Sequence, residues 1–562
     1  EFETLALLEV GDYSLFHVSA AQNLPVGDTF AMRLAADYLG HDGYMKSGAD
    51  SQKDWGARVS LLYTPTDRLT AYLWASVADK DGHPANLVPK GVDPDTGALD
   101  PDAYMNSDPW NDQFPEPWAS ILPAGQQPQA EDQKYDNNMV SGQVDYRVTD
   151  AITLTYVPSY LDMSTSADYW LGAFPGDQTN AFRQTTQELR ATGEHGWGKW
   201  LAGLYYYDLE SHGVFTVGTF AFTPACVPPY CFAVSIVDKN HLEGTAVFGE
   251  ATFNVSSALR VTVGGRYGED KRIGAGRYFD GEGFSPYDYD KDFSNFDYKL
   301  GVEYDLGDKA MLYAVTQTGY QPGTFNGYAS TPTLSNAVDS ADITAYTAGI
   351  KSRLLEDRLQ VNNEIFYYDY QNLVASAYNT SIQSNQTFNM DTVTIYGDQL
   401  DVIWLPTDND RVNVSVGYLH ARSTNFDLPP NTVTWSGRTS FDGYQMQYAP
   451  DWTVSAGYSH DFVIGAGYLR AAVSTRYESS FYADFSHTPG GKQDGYTKSD
   501  ASVTYFSADD RWSVGAWIKN IEDEAVIAAT AGGSNFPYLP QGATAFLEAP
   551  RTYGLRATLG FR

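Results

Sequence analysis

The last residues of the chain, Arg551 to Arg562, read RTYGLRATLGFR and constrain the fold more than any other stretch. From Tyr553 onward the pattern alternates without a slip. Tyr553, Leu555, Ala557, Leu559 and Phe561 point one way, and Gly554, Arg556, Thr558, Gly560 and Arg562 point the other. Successive side chains of a strand project to opposite faces, so this is a ribbon with one oily face and one wet, cationic face. A soluble sandwich can use such a strand. The aromatics at both ends of the oily face favour a membrane barrel, because they fall where interfacial girdles lie.

The same period of two runs through nearly the whole chain. Phe30, Met32, Leu34, Ala36 and Tyr38 form one such stripe; Leu69, Ala71, Leu73, Ala75 and Val77 form another, as do Trp452, Val454, Ala456 and Tyr458, and Trp512, Val514, Ala516 and Ile518. Segments rich in turn formers separate the stripes. They include Leu24 to Asp28, Thr64 to Asp67, Thr149-Asp150, Ser256-Ser257, Leu306 to Asp308, Leu355 to Asp357, Pro406 to Asn409 and Ser507 to Asp510, with further short joins near Glu194 to Lys199 and Val463 to Gly467. Roughly ten tight turns alternating with about eleven longer loops predict a transmembrane antiparallel barrel of about 22 strands, an even number as single-chain bacterial barrels have. No run approaches the ~18 apolar residues that a membrane helix needs. No linker divides the 562 residues, so residues 1–562 are expected to be a single barrel domain. Parity puts the tight turns on the periplasmic side and the long segments outside.

Several segments resemble one family in that family's order. Lys519-Asn520-Ile521-Glu522-Asp523-Glu524 followed by Tyr553-Gly554-Leu555-Arg556 looks like the last hairpin of TonB-dependent outer-membrane receptors. Gln187-Glu188-Leu189-Arg190 with Trp200 to Tyr206 is similar to a strand pair of theirs, and Gly264-Gly265-Arg266-Tyr267 to their Gly-x-Arg-Tyr strand. Gly319-Tyr320-Gln321-Pro322-Gly323-Thr324-Phe325-Asn326 resembles their Gly-Phe-Lys-Pro-Gly-x-Phe-Asn motif, and Tyr346 to Ser352 with Phe366 to Tyr370 resembles another hairpin. The resemblance implies a Gram-negative outer-membrane receptor that takes up a scarce solute, most often a ferric siderophore. It implies as partners small-molecule cargo, outer-membrane lipid and lipopolysaccharide, and the TonB system acting through a plug domain. Neither that plug nor the TonB box has a counterpart here, and Glu1 falls about where the first barrel strand is expected. A passive porin-like channel and a barrel-anchored surface interaction protein in a larger assembly are the rival readings.

The charge narrows the partners. Seventy Asp and Glu against 36 Lys and Arg give a formal charge of −34, which argues against nucleic acid and makes an anionic ferric catecholate a poor cargo. Asp81 to Tyr135 is the longest outward segment, with nine prolines and ten acids against Lys90 and Lys134. Asp93, Asp95, Asp100 and Asp102 place hard oxygens at alternate positions, which suits calcium, although the rest of a calcium loop is missing and solvated turn acids are the ordinary reading. Tyr104, Trp110, Phe114 and Trp118 in this segment, with Tyr320, Phe325 and Asn326, are the expected cargo-binding residues at the outer mouth; packing of the loop on itself is the alternative use of its aromatics. Cys226 and Cys231 have no second pair to complete a metal site, so a short disulfide loop in an oxidising compartment is expected. Gly-x-Ser-x-Gly, phosphate-loop and His-Glu-x-x-His motifs are absent and the nine histidines are scattered. Neither an enzyme nor a cofactor is therefore expected.

Overall fold

The computed structural model describes the chain except residues 1, 122–126, 172–173, 220–230, 280–283, 327–336, 380–383, 435–437, 489, 532–543 and 562. Its strands form a closed antiparallel barrel of 22 strands, beginning with Glu3–Gly11 and ending with Thr552–Phe561. These two pair to close it: Thr4 stands opposite Phe561, and the register runs to Gly11 opposite Gly554. Closure leaves no sheet edge to be desolvated in lipid. A two-residue strand, Thr432–Val433, joins the same sheet beside Tyr378 and Asn379.

Ten short connections lie at the end where the chain's first strand starts and its last strand stops. They join Pro25 to Phe30, Thr66 to Leu69, Thr149 to Ile152, His195 to Gly198, Asn254 to Leu259, Asp305 to Ala310, Leu354 to Leu359, Trp404 to Asp410, Ile464 to Gly467 and Phe506 to Trp512. Each falls where the turn-forming residues predict it. The turn at Leu355, Glu356 and Asp357 departs from ordinary turn chemistry, with φ of 51°, 56° and 66° at three non-glycine residues. Ion pairs between adjacent turns hold it, from Lys309 to Asp357 at 3.2 Å and from Arg358 to Asp408 at 2.6 Å.

The oily face read from the closing strand points outward: Tyr553, Leu555, Leu559 and Phe561 are 59%, 57%, 40% and 44% exposed. The opposite face lines the lumen, where Arg556 donates to Glu9 at 3.0 and 3.2 Å across the seam. The wall is uneven in height. Strands such as Phe174–His195, Gly198–Thr219 and Cys231–Asn254 run to 22, 22 and 24 residues, about twice what a membrane crossing needs. Because the barrel turns its apolar side chains to lipid, the buried apolar clusters sit in the outer loops instead.

Candidate functional site

The outer mouth is built from loops that the proline-rich sequence keeps from joining the barrel ladder. Two short strands, Val88–Val92 and Leu99–Tyr104, pair with each other. The first also pairs with Thr544–Leu547, which pairs in turn with Ile527–Ala531. This small sheet carries a buried cluster of Met45, Val88, Trp110, Ile527 and Leu547, with Tyr104 packed against it. Trp110 is buried and its indole donates to the Glu548 carbonyl at 2.9 Å. Phe114 is buried beside Gln127, whose side chain pairs with the Phe114 backbone at 2.8 and 2.9 Å. Trp118 opens a single 3-10 turn and is half-buried.

Two buried ionisable side chains act on this cap in opposite ways. Asp112, fully buried, accepts from the Ser47 amide, the Ser47 hydroxyl, Asn86 and Gln113, which ties residues 42–50 to residues 84–132. Lys90 is 2% exposed with its ammonium 4.9 Å from the Tyr104 ring centroid. No carboxylate among the described residues lies within 4.0 Å of it. Burial pushes the Lys90 ammonium down to about 8, against the weaker upward pull of Asp102, Asp494 and Asp100. Burial likewise pushes the Tyr104 phenol up.

Tyr320, Phe325 and Asn326 are brought to the opposite side of the mouth. The strand Ala310–Gln321 leaves its neighbour after Gln317 opposite Lys299, and the residues beyond that point lie against the inner face of the tall wall. Gly274 stands opposite Tyr289, and a Cβ there would come within 2.0 Å of the ring. Glycine lets Tyr289 lie flat on the wall, and Phe325 stacks on it at 3.7 Å and 6°. The Tyr320 hydroxyl donates to Asp270 at 3.1 Å, and the same carboxylate accepts from Tyr207 at 2.6 Å. Asn326 is buried and pairs with the Thr387 backbone in both directions, at 2.8 and 2.6 Å.

Beneath the loops, between the cap and the lumen wall, lies a cavity of 1350 Å³. Its roof is made by Tyr448, Phe481, Val526 and Ile527, and its wall includes Asp401, Ser415, Thr453, Arg476, Glu478 and Lys498. Lys498 pairs with Glu548 at 2.6 Å and Arg476 with Glu478, so the charges left facing the space are acidic or neutral.

The structure therefore splits the expected cargo-binding set. Tyr104, Trp110 and Phe114 pack inside the cap, Tyr320, Phe325 and Asn326 pin a loop to the inner wall, and Trp118 is half-buried in its 3-10 turn. Asp93 accepts from the amides of Asp95 and Thr96 at 2.9 and 2.8 Å, and Asp100 from that of Asp102 at 3.0 Å. These carboxylates are turn acceptors, and the bonds from Thr96 to Asp93 hold that carboxyl below its usual range. Among the described residues the four acids do not form a convergent metal-ligand group. Cys226 and the side chain of Cys231 lie outside the described residues. The sequence reading missed Tyr207, Asp270, Tyr289, Lys90 and Asp112. The Gly-Tyr-Gln-Pro-Gly-Thr-Phe-Asn run was a signal for the first three, because a motif that places a Tyr and a Phe on a loop needs partners on the wall.

Residues 82–521 match the family model described as TonB dependent receptor-like, beta-barrel. Solved structures share the fold. The ferric yersiniabactin uptake receptor FyuA from Yersinia pestis superposes with a TM-score of 0.80 at 14% identity, over 100% of this chain and 80% of that one. The siderophore receptor PiuA from Acinetobacter baumannii gives 0.76 at 15%, over 100% and 82%. The ferripyoverdine receptor of the outer membrane of Pseudomonas aeruginosa, bound to ferripyoverdine, gives 0.70 at 13%, over 100% and 72%.

Proposed function

The chain belongs to the TonB-dependent receptor β-barrel family, and from that premise we propose that it carries a scarce metal chelate of the siderophore kind inward through the outer membrane. Its place in the Gram-negative outer membrane follows from the family, and the family's members are receptors and transporters. The observation that carries the proposal is the 1350 Å³ cavity under a cap of inward-folded loops. A pore for free diffusion gains nothing from loops buried against one another across its mouth, whereas a receptor needs a chamber that holds one solute. The neighbours described as a ferric yersiniabactin uptake receptor, a siderophore receptor and a ferripyoverdine receptor support the class of cargo.

The acids at the mouth select against anionic cargo by repulsion, so a neutral or cationic ferric chelate is the expected solute and a ferric catecholate the disfavoured one. The lumen of a barrel of about 22 strands needs filling to stay closed to small solutes, and the reading includes a plug that occupies it and contacts the TonB system. No catalytic role is assigned to the chain.

Planar-bilayer recording tests this. The complex isolated from native membranes should show little steady conductance, and this barrel reconstituted alone a large one. Steady conduction by the native complex would establish the passive-pore reading in its place. Quenching of intrinsic tryptophan fluorescence by a neutral ferric chelate, with none by a ferric catecholate at equal concentration, is the expected result for cargo.

A further inference from the structure

Asp208, His241 and Glu243 bring three metal-binding atoms within 4.8 Å of one another, all half-buried. Asp208 stands directly opposite Glu243 in the ladder between Gly198–Thr219 and Cys231–Asn254, and Glu210 opposite His241. Farther down the same two strands Leu204 faces Val247, and these are 57% and 53% exposed on the lipid side. Side chains alternate, so Leu204, Tyr206 and Asp208 share one face, as do Val247, Glu243 and His241. The cluster therefore lies on the outside of the barrel and not in the lumen, and cargo does not reach it.

Its height is fixed by tyrosines. The hydroxyls of Tyr206 and Tyr267 donate to Glu243 and Glu269 at 3.3 and 2.9 Å, so the rings face the hydrocarbon edge while the carboxylates stand in the headgroup layer. Asp208 lies about 14 Å along the strand from Leu204, four residues at ~3.4 Å each.

Two like charges directly opposite on one face repel. A basic partner would ordinarily relieve them, and Lys271 stands opposite Glu243. It reaches instead to Asp290 at 3.4 Å, and among the described residues no Lys or Arg lies within 4.0 Å of Asp208 or Glu243; Asp208 has His241 at 2.8 Å. The arrangement holds two carboxylates and an imidazole with no basic side chain to neutralise them.

We propose that Asp208, His241 and Glu243 bind a divalent cation on the outer wall, with Zn²⁺ the best match to one imidazole and two carboxylates. Tetrahedral ligands at 2.0–2.1 Å from zinc sit about 3.4 Å apart, so the atoms that now lie within 4.8 Å of one another shift by up to about 1.4 Å, Asp208 and His241 parting from 2.8 Å and Glu243 closing on them. Three protein ligands leave one position open, and it faces the leaflet whose headgroups carry phosphates. A phosphate oxygen of lipid A fills that position, and the cation bridges an acidic wall to an anionic lipid that would otherwise repel it. The lipid half of the proposal rests on the outer-membrane reading; the metal half does not.

The test uses the full chain in detergent, titrated calorimetrically with zinc alone in phosphate-free buffer. One zinc per barrel is expected, with affinity at least 10-fold weaker in His241→Ala and in Asp208→Asn, and unchanged in Glu210→Gln, which alters a neighbouring outward acid. Absence of zinc binding, or equal affinity in all four proteins, would overturn the site. Chelator treatment should also lower the lipopolysaccharide retained per barrel in the unaltered chain and not in His241→Ala. If zinc binds but retention is the same with and without chelator, the lipid bridge is refuted while the metal site stands. Heat-dependent electrophoretic mobility confirms that each variant keeps the closed barrel.

Discussion

Replacing Lys90 by methionine should tighten the cap. The ammonium is 2% exposed, and burial lowers its pKa from 10.5 to about 8 even with Asp102, Asp494 and Asp100 pulling the other way. At ~1.36 kcal/mol per unit, holding the proton in the closed cap at pH 7 costs about 3 kcal/mol relative to the opened loop. Methionine has a similar length and no charge, but it forfeits the ammonium's contact with the Tyr104 ring, worth about 1 kcal/mol. A net gain of about 2 kcal/mol corresponds to a roughly 30-fold smaller open population, and so to roughly 30-fold slower exchange. Hydrogen exchange followed by mass spectrometry reads this directly in peptides spanning residues 86–92 and 99–105, with the closing strand as the invariant reference. The sign with pH follows from the same shift. The opened state binds the proton more tightly between pH 8 and 10.5, so protection of the unaltered cap, corrected for intrinsic exchange, should rise through that window and be flat below it. Equal or faster exchange in Lys90→Met at pH 7, or protection that does not rise above pH 8, would refute the reasoning.

Trp110→Ala should open the same cap, at about 3–5 kcal/mol for the emptied space, seen as new proteolytic cleavage within residues 84–132 while the barrel stays intact. Phe325→Ala removes the stack on Tyr289 and should release the loop from the wall, lowering chelate affinity in the fluorescence assay; Tyr320→Phe, which keeps the ring and loses only the bond to Asp270, should have the smaller effect. Arg556→Ala leaves Glu9, whose side chain is 7% exposed, without its partner, and should lower the temperature at which the barrel loses its compact electrophoretic mobility. The loss is about 2 kcal/mol, less than for a fully buried pair because the arginine is half-exposed. Non-reducing peptide mapping should recover Cys226 and Cys231 in one linked fragment; free thiols in a sample kept from reductant would refute the disulfide.

The sequence by itself determined the barrel. Alternation is a local property, since each side chain's face follows from its neighbours along one strand, and turn formers mark where one strand yields to the next. Tyr553 to Phe561 thus disclosed the lipid face, and the alternation of turns with longer loops the strand number; the register that sets Thr4 opposite Phe561 is a finding of the structure. What only the tertiary structure decided is how the mouth is built. Alternation puts Tyr320 on the same outward face as Thr316, which stands opposite Leu300, yet its hydroxyl bonds to the lumen carboxylate of Asp270. The hairpin stays paired within itself as far as Gln321 opposite Ala341 but parts from Phe284–Asp305 above Gln317, so its outward face meets the inner face of the wall there and not lipid. Trp110 meets the Glu548 carbonyl across 438 positions of sequence, and no local period reaches that far. Whether an aromatic in an outer loop faces a ligand or its own protein depends on which loops fold inward together, and that is set by packing among segments whose sequences carry no common repeat.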